Sequence, residues 1–281
     1  MTETLRVHGG QRKKFVRRIP EGLTRPYDCR MAERTSYPPG TFSWAELATS
    51  DADAAKAFYA EIFAWEYEDT PIGDGQVYTM ASRDGGTAAA LFTSDQPPPH
   101  WNCYVTVESA DAAADKAREN GANVVAEPFD VMDVGRMAVF IDPQGAALSV
   151  WEPRASIGAT IVNAPGSLTW NDLLTADVEA SAAFYGALFG WTTEEIPNAG
   201  GYRVIKNGDR SNGGMMQSPD GPPAWIPYFG HEDVDSVIEK VPQLGGKVLN
   251  GPIQMPAGRI GVFSDPQGAV FSVWTGEYQE D

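Results

Sequence analysis

The stretch GRMAVFIDPQGAALSVW, from Gly135 to Trp151, returns as GRIGVFSDPQGAVFSVW, from Gly258 to Trp274. Twelve of the seventeen positions are identical, and the separation is 258 − 135 = 123 residues. A match of this length at one spacing means that the chain holds one structural unit twice. In each copy two apolar runs flank Asp-Pro-Gln-Gly, so Asp142 and Asp265 read as turn residues of a closing β-hairpin.

Outward from this hairpin the duplication continues. GSLTWNDLLTADVEASAAFYGALFGW, from Gly166, lies over GTFSWAELATSDADAAKAFYAEIFAW, from Gly40. Trp44/Trp170, Asp51/Asp177, Phe58-Tyr59/Phe184-Tyr185 and Trp65/Trp191 coincide. FSWAELAT alternates as a strand does. Ala54, Ala57, Phe58 and Ile62 fall at helical spacing over Asp51–Phe63, with Ser50 or Asp51 as N-cap. Val77–Ala81 and Thr87–Thr93 read as strands around Asp84-Gly85-Gly86. After a Pro-rich linker at Gln96–Pro99 come a strand at Asn102–Val107, a helix over Asp111–Asn120 ended by Gly121, a strand at Asn123–Ala126, and the hairpin. The second copy repeats this order, with a helix over Val234–Leu244. The fold class is α+β, built from four βαβββ modules paired into two domains. Expected boundaries are a first domain at 41–152, a linker at 153–165, a second domain at 166–275 and a short tail at 276–281.

The totals restrict function. The 281 residues are 42% hydrophobic, enough for two cores. The formal charge of −17 argues against nucleic acid and anionic membrane as partners. Residues 1–40 stand apart as a basic extension that reads as disordered. Its Gln11–Arg18 run (QRKKFVRR) has the alternative of a short helix binding something acidic. Two cysteines, Cys29 and Cys103, make a disulfide framework unlikely, and a reducing compartment fits. No apolar run reaches the ~18 residues of a membrane span, and no signal-peptide core follows the basic start. The expected location is the cytoplasm, as a monomer or homodimer.

An opening strand, then Asp-x-x-x-small-x-x-Phe-Tyr, then Phe189-Gly190-Trp191, and a closing Asp-Pro-Gln-Gly hairpin resemble the vicinal oxygen chelate superfamily. That group includes glyoxalase I, extradiol dioxygenases and bleomycin-resistance proteins. The resemblance covers about Thr41 to Thr275, in duplicate. It implies two glyoxalase-like domains, each a curved mixed sheet around a cleft. Metal enzymes of the family set one His or Glu on each of four strands. The matching positions here are Trp44, about Ala90, Asn102 and Ser149, and in the second copy Trp170, about Met215, Ile226 and Ser272. None is His, Asp, Glu or Cys, so no metal and no other cofactor are expected.

Strand alternation suggests what lines the clefts instead. Phe42, Trp44 and Glu46 share one face, as do Leu168, Trp170 and Asp172. Asn102 and Tyr104, Tyr228 (with Ile226), Ser149 and Trp151, and Ser272 and Trp274 complete the walls, with Arg136 and Arg259 opening the strand before each turn. The functional reading is an aromatic-walled pocket for a planar or hydrophobic small molecule, in a resistance or secondary-metabolism role. Glu46 or Asp172 could serve there as general base of a lyase, isomerase or cyclase. The bland reading is that the aromatics pack the sheets, and that Glu46 and Asp172 form salt bridges to Arg136 and Arg259. His231, beside Glu232 and Asp233, reads as a solvated loop residue, and His100 lies near the start of its strand. A glyoxalase-type lyase with an atypical metal site is the remaining alternative.

Overall fold

The computed structural model describes residues 32–95, 98–218 and 221–278. The basic run at Gln11–Arg18 and Cys29 lie outside these residues. In chain order the elements are β1 (Ala32–Glu33), β2 (Phe42–Thr49), α1 (Ala52–Phe63), β3 (Glu66–Gly73), β4 (Gln76–Arg83), β5 (Gly86–Thr93), β6 (His100–Thr106), α2 (Ala110–Glu119), β7 (Asn123–Val131), β8 (Gly135–Ile141) and β9 (Ala147–Pro153). Then come β10 (Ile161–Val162), β11 (Leu168–Thr175), α3 (Val178–Phe189), β12 (Thr192–Glu195), β13 (Arg203–Asn207), β14 (Arg210–Gln217), β15 (Ala224–Gly230), α4 (Val234–Gln243), β16 (Lys247–Met255), β17 (Gly258–Ser264) and β18 (Val270–Gly276).

The first sheet runs β3-β4-β5-β2-β6-β9-β8-β7, and the second β12-β13-β14-β11-β15-β18-β17-β16. Both are mixed: β2 pairs parallel with β5 and antiparallel with β6, and β11 does the same with β14 and β15. This is the expected α+β architecture of two sheet-dominated domains. The short β1 and β10 join the second sheet, β10 pairing parallel to β11. β3 carries no apolar alternation because it is an edge strand with almost every side chain exposed.

Local chemistry sets the helices. Asp51 and Asp177 cap α1 and α3, each accepting from the backbone N–H three residues on. Both helices end on a left-handed residue, Ala64 (φ 55°) in the first copy and Gly190 (φ 76°) in the second. Glycine takes that conformation freely and alanine does not.

The two large apolar clusters each draw on both sheets. One sets Phe58, Tyr59 and Phe63 of α1 against Phe229, Phe263 and Phe271. The other sets Phe184 and Tyr185 of α3 against Phe140, Leu148 and Val150. The repeated motifs meet here. Tyr185 donates to Asp142 Oδ2 at 2.9 Å and accepts from Trp225 Nε1 at 2.8 Å. In mirror fashion Tyr59 donates to Asp265 Oδ2 at 3.1 Å and accepts from Trp101 Nε1 at 3.1 Å. The other oxygen of each aspartate accepts three backbone N–H groups of its own Asp-Pro-Gln-Gly turn. Asp142 and Asp265 therefore make their turns and also bind the Phe-Tyr helix of the other copy. The sheet faces away from these helices are left for the clefts.

Candidate functional site

In the first sheet, β2 presents Trp44 and Glu46 on the cleft face, while Ala45 and Leu47 enter the core beneath. Phe42 does not share that face. The register between β2 and β6 slips between Phe42 and Trp44. Beyond the slip Phe42 packs on Trp191 and Trp225 of the second copy, with ring centroids 5.5 and 5.0 Å away. The same slip between Leu168 and Trp170 on β11 sends Leu168 into the core with Phe229. Strand alternation cannot register a bulge, because the extra residue inverts every face beyond it.

Trp44, Tyr78, Tyr104 and Trp151 surround a cavity of about 410 Å³, with Met80 and Met137 between them. Among the described residues Glu46 is the only charged one in its wall. Tyr78 donates to Glu46 Oε2 at 2.8 Å and Tyr104 to Oε1 at 2.9 Å. Trp44 Nε1 donates to Tyr78 at 3.3 Å, extending the chain of bonds. Burial raises the Glu46 pKa, and the two tyrosine hydrogen bonds, which favour the carboxylate, offset this only in part. Burial, followed by the nearby Glu46 charge, holds both tyrosines well above their usual value. The 153–165 segment covers one side. Trp151 Nε1 donates to Ser156 O at 2.9 Å, and Tyr37 donates to Ala159 O at 2.6 Å.

The second cleft repeats the device in closed form. Trp170, Tyr228 and Trp274 border a cavity of only about 180 Å³, with Tyr278 of the C-terminal segment in its wall. Asp172 is 3% exposed. Its Oδ1 accepts from Trp170 Nε1 at 2.9 Å and Tyr202 at 2.8 Å, and its Oδ2 from Tyr228 at 2.6 Å. Burial raises its pKa, against the pull of those three donors. A larger cavity of about 550 Å³ lies between the 34–42 segment and the β13–β14 hairpin and shares Asn163, Thr169 and Trp170 with the smaller one. There Asn207 and Asn212 tie the segment down by donating to Pro39 O and Gly40 O.

The first cleft thus gathers Trp44, Glu46, Tyr104 and Trp151, and the second Trp170, Tyr228 and Trp274 around a sealed Asp172. Ser149 and Ser272 are buried in register with Tyr104 and Tyr228. Asn102 sits opposite Glu46 on β6 but outside the cavity wall. Arg136 and Arg259 are elsewhere. Arg136 shares its face of β8 with Ala138 and Phe140 and pairs with Asp111 of α2 and with Asp130. Arg259 pairs with Asp235 of α4. The expected Glu46–Arg136 and Asp172–Arg259 bridges are therefore not formed; tyrosines hold both acids instead. Tyr78 and Tyr202 are the partners that sequence reasoning missed. Their recurrence at 202 − 78 = 124 residues, close to the spacing of the other repeats, was the available signal. His100 is exposed, and His231 is half-buried, accepting from Asp233 N at 2.9 Å.

The resemblance implies a divalent metal in the family's metal enzymes, and the donors present here do not fit one. In register with Glu46 stand Ala90 on β5 and Asn102 on β6, and Ser149 lies beside Tyr104. Among the described residues no three His, Cys, Asp or Glu side chains group together. Both oxygens of Glu46 are already acceptors for phenols. Among the described residues, too, no helix is long and apolar enough to cross a membrane.

Comparison with known proteins places this geometry. The model of the Glyoxalase/Bleomycin resistance protein/Dioxygenase superfamily matches residues 41–150, and that of the Bleomycin resistance protein-like N-terminal family matches residues 167–208. "Putative glyoxylase CFP32" of Mycobacterium tuberculosis is 42% identical over 86% of this chain and 97% of its own. The anthracycline biosynthesis protein DnrV of Streptomyces peucetius is 30% identical over 85% of this chain and 94% of its own. The Mn(II)-bound glyoxalase of Novosphingobium aromaticivorans superposes with a TM-score of 0.63 at 17% identity, covering 86% of this chain and 84% of that one. An extradiol ring-cleaving dioxygenase of B. fuscum does so with a TM-score of 0.61 at 16% identity, covering 88% and 75%. The last two show a shared fold and no more. With its twice-repeated modules, its two mixed sheets and relatives matched along nearly their whole length, the chain belongs to the glyoxalase/bleomycin resistance/dioxygenase superfamily.

Proposed function

We propose that this protein binds a planar or hydrophobic small molecule in the first cleft without a metal ion, in secondary metabolism or resistance. The observation that carries the reading is the 410 Å³ cavity walled by Trp44, Tyr78, Tyr104 and Trp151. Rings of this kind give a flat ligand large contact area and stacking partners. The Streptomyces peucetius relative is named for the biosynthesis of anthracyclines, which are planar and aromatic, and this supports the same class of ligand. The second cleft, with 180 Å³ and a sealed acid, is the supporting copy.

The test is a thermal-shift screen against planar aromatic metabolites. A ligand at 100 times its Kd adds about 2.7 kcal/mol of stability, or roughly 5–10 °C for a chain of this size. Trp44→Ala should abolish the shift and Trp170→Ala should keep it. No shift across a broad library would refute the reading. So would stoichiometric zinc or nickel accompanied by turnover of the methylglyoxal–glutathione hemithioacetal.

A second reading makes Glu46 the general base of a metal-free lyase, isomerase or cyclase. It is favoured by one observation: Glu46 combines a raised pKa with an open face on the cavity. Asp172 is the weaker candidate for the same role, because it accepts three hydrogen bonds and lines neither of the two cavities beside Trp170. Loss of a substrate's α-proton to solvent deuterium, absent in Glu46→Gln, would support turnover over simple binding.

A further inference from the structure

Resting on the reading that the first cleft binds a planar small molecule, we infer that its ligand is an organic cation, an aromatic ring system carrying an ammonium or iminium charge. Among the described residues the cavity has one charged group in its wall, the Glu46 carboxyl, and no Lys, Arg or His in that wall; the nearest cationic influence on Glu46 is His100, exposed on β6 and outside the cavity. Both oxygens of Glu46 accept from tyrosines, so the hydrogen-bonding pattern is that of a carboxylate. Each oxygen keeps acceptor capacity beyond its one bond. Two tryptophans and two tyrosines line the same space, and an aromatic ring attracts a cation that lies over its face. The thioether sulfurs of Met80 and Met137 add polarisable contacts. A cationic guest would supply the charge that the cavity lacks, whereas an anion would meet Glu46 with no counter-charge in the wall. The net charge of −17 also concentrates cations at the surface.

The second cleft supplies the internal control. Asp172 has the same kind of partners, yet it is closed off by its third donor and a far smaller cavity. The fold therefore carries the carboxylate–tyrosine device twice and opens it to a ligand once.

The experiment compares two tricycles of nearly equal size and shape, 10-methylacridinium and the neutral 10-methylacridone, by fluorescence titration of the full-length protein. In the wild type the cation should bind about tenfold or more tighter, a difference of about 1.4 kcal/mol. Glu46→Gln should collapse that ratio towards one. Asp172→Asn should preserve it. Circular dichroism of both variants establishes that they are folded, since Gln and Asn retain an acceptor for the tyrosines. If the two tricycles bind the wild type equally, the cation inference is overturned and the planar-ligand reading stands. If the preference survives in Glu46→Gln, the overall charge produces it and the inference is likewise overturned. If neither tricycle binds, the planar-ligand reading fails and takes the inference with it.

Discussion

Replacing Tyr185 with Phe removes one hydroxyl from the place where the two copies lock together. That hydroxyl donates to Asp142 Oδ2 at 2.9 Å and accepts from Trp225 Nε1 at 2.8 Å. All three residues are buried: Tyr185 is 0%, Trp225 3% and Asp142 4% exposed. Water therefore cannot replace either bond. Loss of a hydrogen bond to a charged group costs about 1.5–3 kcal/mol, and an orphaned buried donor such as the Trp225 indole about 1–3 kcal/mol. Partial relaxation and non-additivity put the total at about 3 kcal/mol. Urea unfolding followed by tryptophan fluorescence measures it as a fall in midpoint with an unchanged slope. Both apolar clusters take residues from both sheets, so the wild type and the variant should each unfold in one transition. Tyr59→Phe, its counterpart at Asp265, should lose a similar amount. A loss below about 1 kcal/mol, or two separate transitions for the two halves, would refute the idea that the tyrosine–aspartate pairs join the copies into one cooperative unit.

The geometry sets three further outcomes. Ala64→Gly should stabilise the protein by about 1 kcal/mol and Gly190→Ala should destabilise it by about as much, because both positions are left-handed; equal and negligible effects in thermal denaturation would contradict this. Gly158→Ala should cost at least about 2 kcal/mol and weaken ligand binding, since its Cβ would stand 2.4 Å from Ser43 O at a φ of 99°, in the segment that covers the first cleft. Glu46 has a folded-state pKa raised by burial, so folding favours its protonated form: its contribution is fully present below the ordinary value of 4.5 and is lost as pH rises through the folded value. The stability of Glu46→Gln relative to wild type should therefore climb with pH across that window and be flat below it, and a difference independent of pH would show that the acid is not desolvated.

Most of the fold was readable because it is written twice. The repeated Asp-Pro-Gln-Gly hairpin, the capping aspartates and the helical spacing of Phe58 and Phe184 are local signals, and a second copy tells pattern from accident. What stayed hidden was whatever needs a contact between copies or a break in periodicity. Asp142 reads as a turn residue from its neighbours alone; its second oxygen is committed to Tyr185, forty-three positions away. Phe42 and Leu168 read as cleft residues because alternation was carried through a register slip. Alternation carried along β8 would have served better, since it puts Arg136 with Ala138 and Phe140, opposite the cleft-facing Met137.

Which cleft is open is the hardest property to read, because nearly the same residues build both. Trp44, Glu46, Tyr78 and Tyr104 have Trp170, Asp172, Tyr202 and Tyr228 as counterparts. The difference is one methylene and its consequence for one indole. Trp170 Nε1 reaches the shorter Asp172 carboxylate directly, at 2.9 Å, while Trp44 Nε1 stops at the Tyr78 hydroxyl, 3.3 Å away. Glu46 is left with two donors where Asp172 has three. The segments beyond the two closing strands widen the contrast. After β18, Tyr278 stands in the wall of the smaller cavity, whereas after β9 the wall holds only Ser156 and Gly158. Openness in this fold is thus set by residues that no motif contains. A duplicated chain can keep one copy as scaffold and leave the other free to bind, with little in its repeated segments to say which is which.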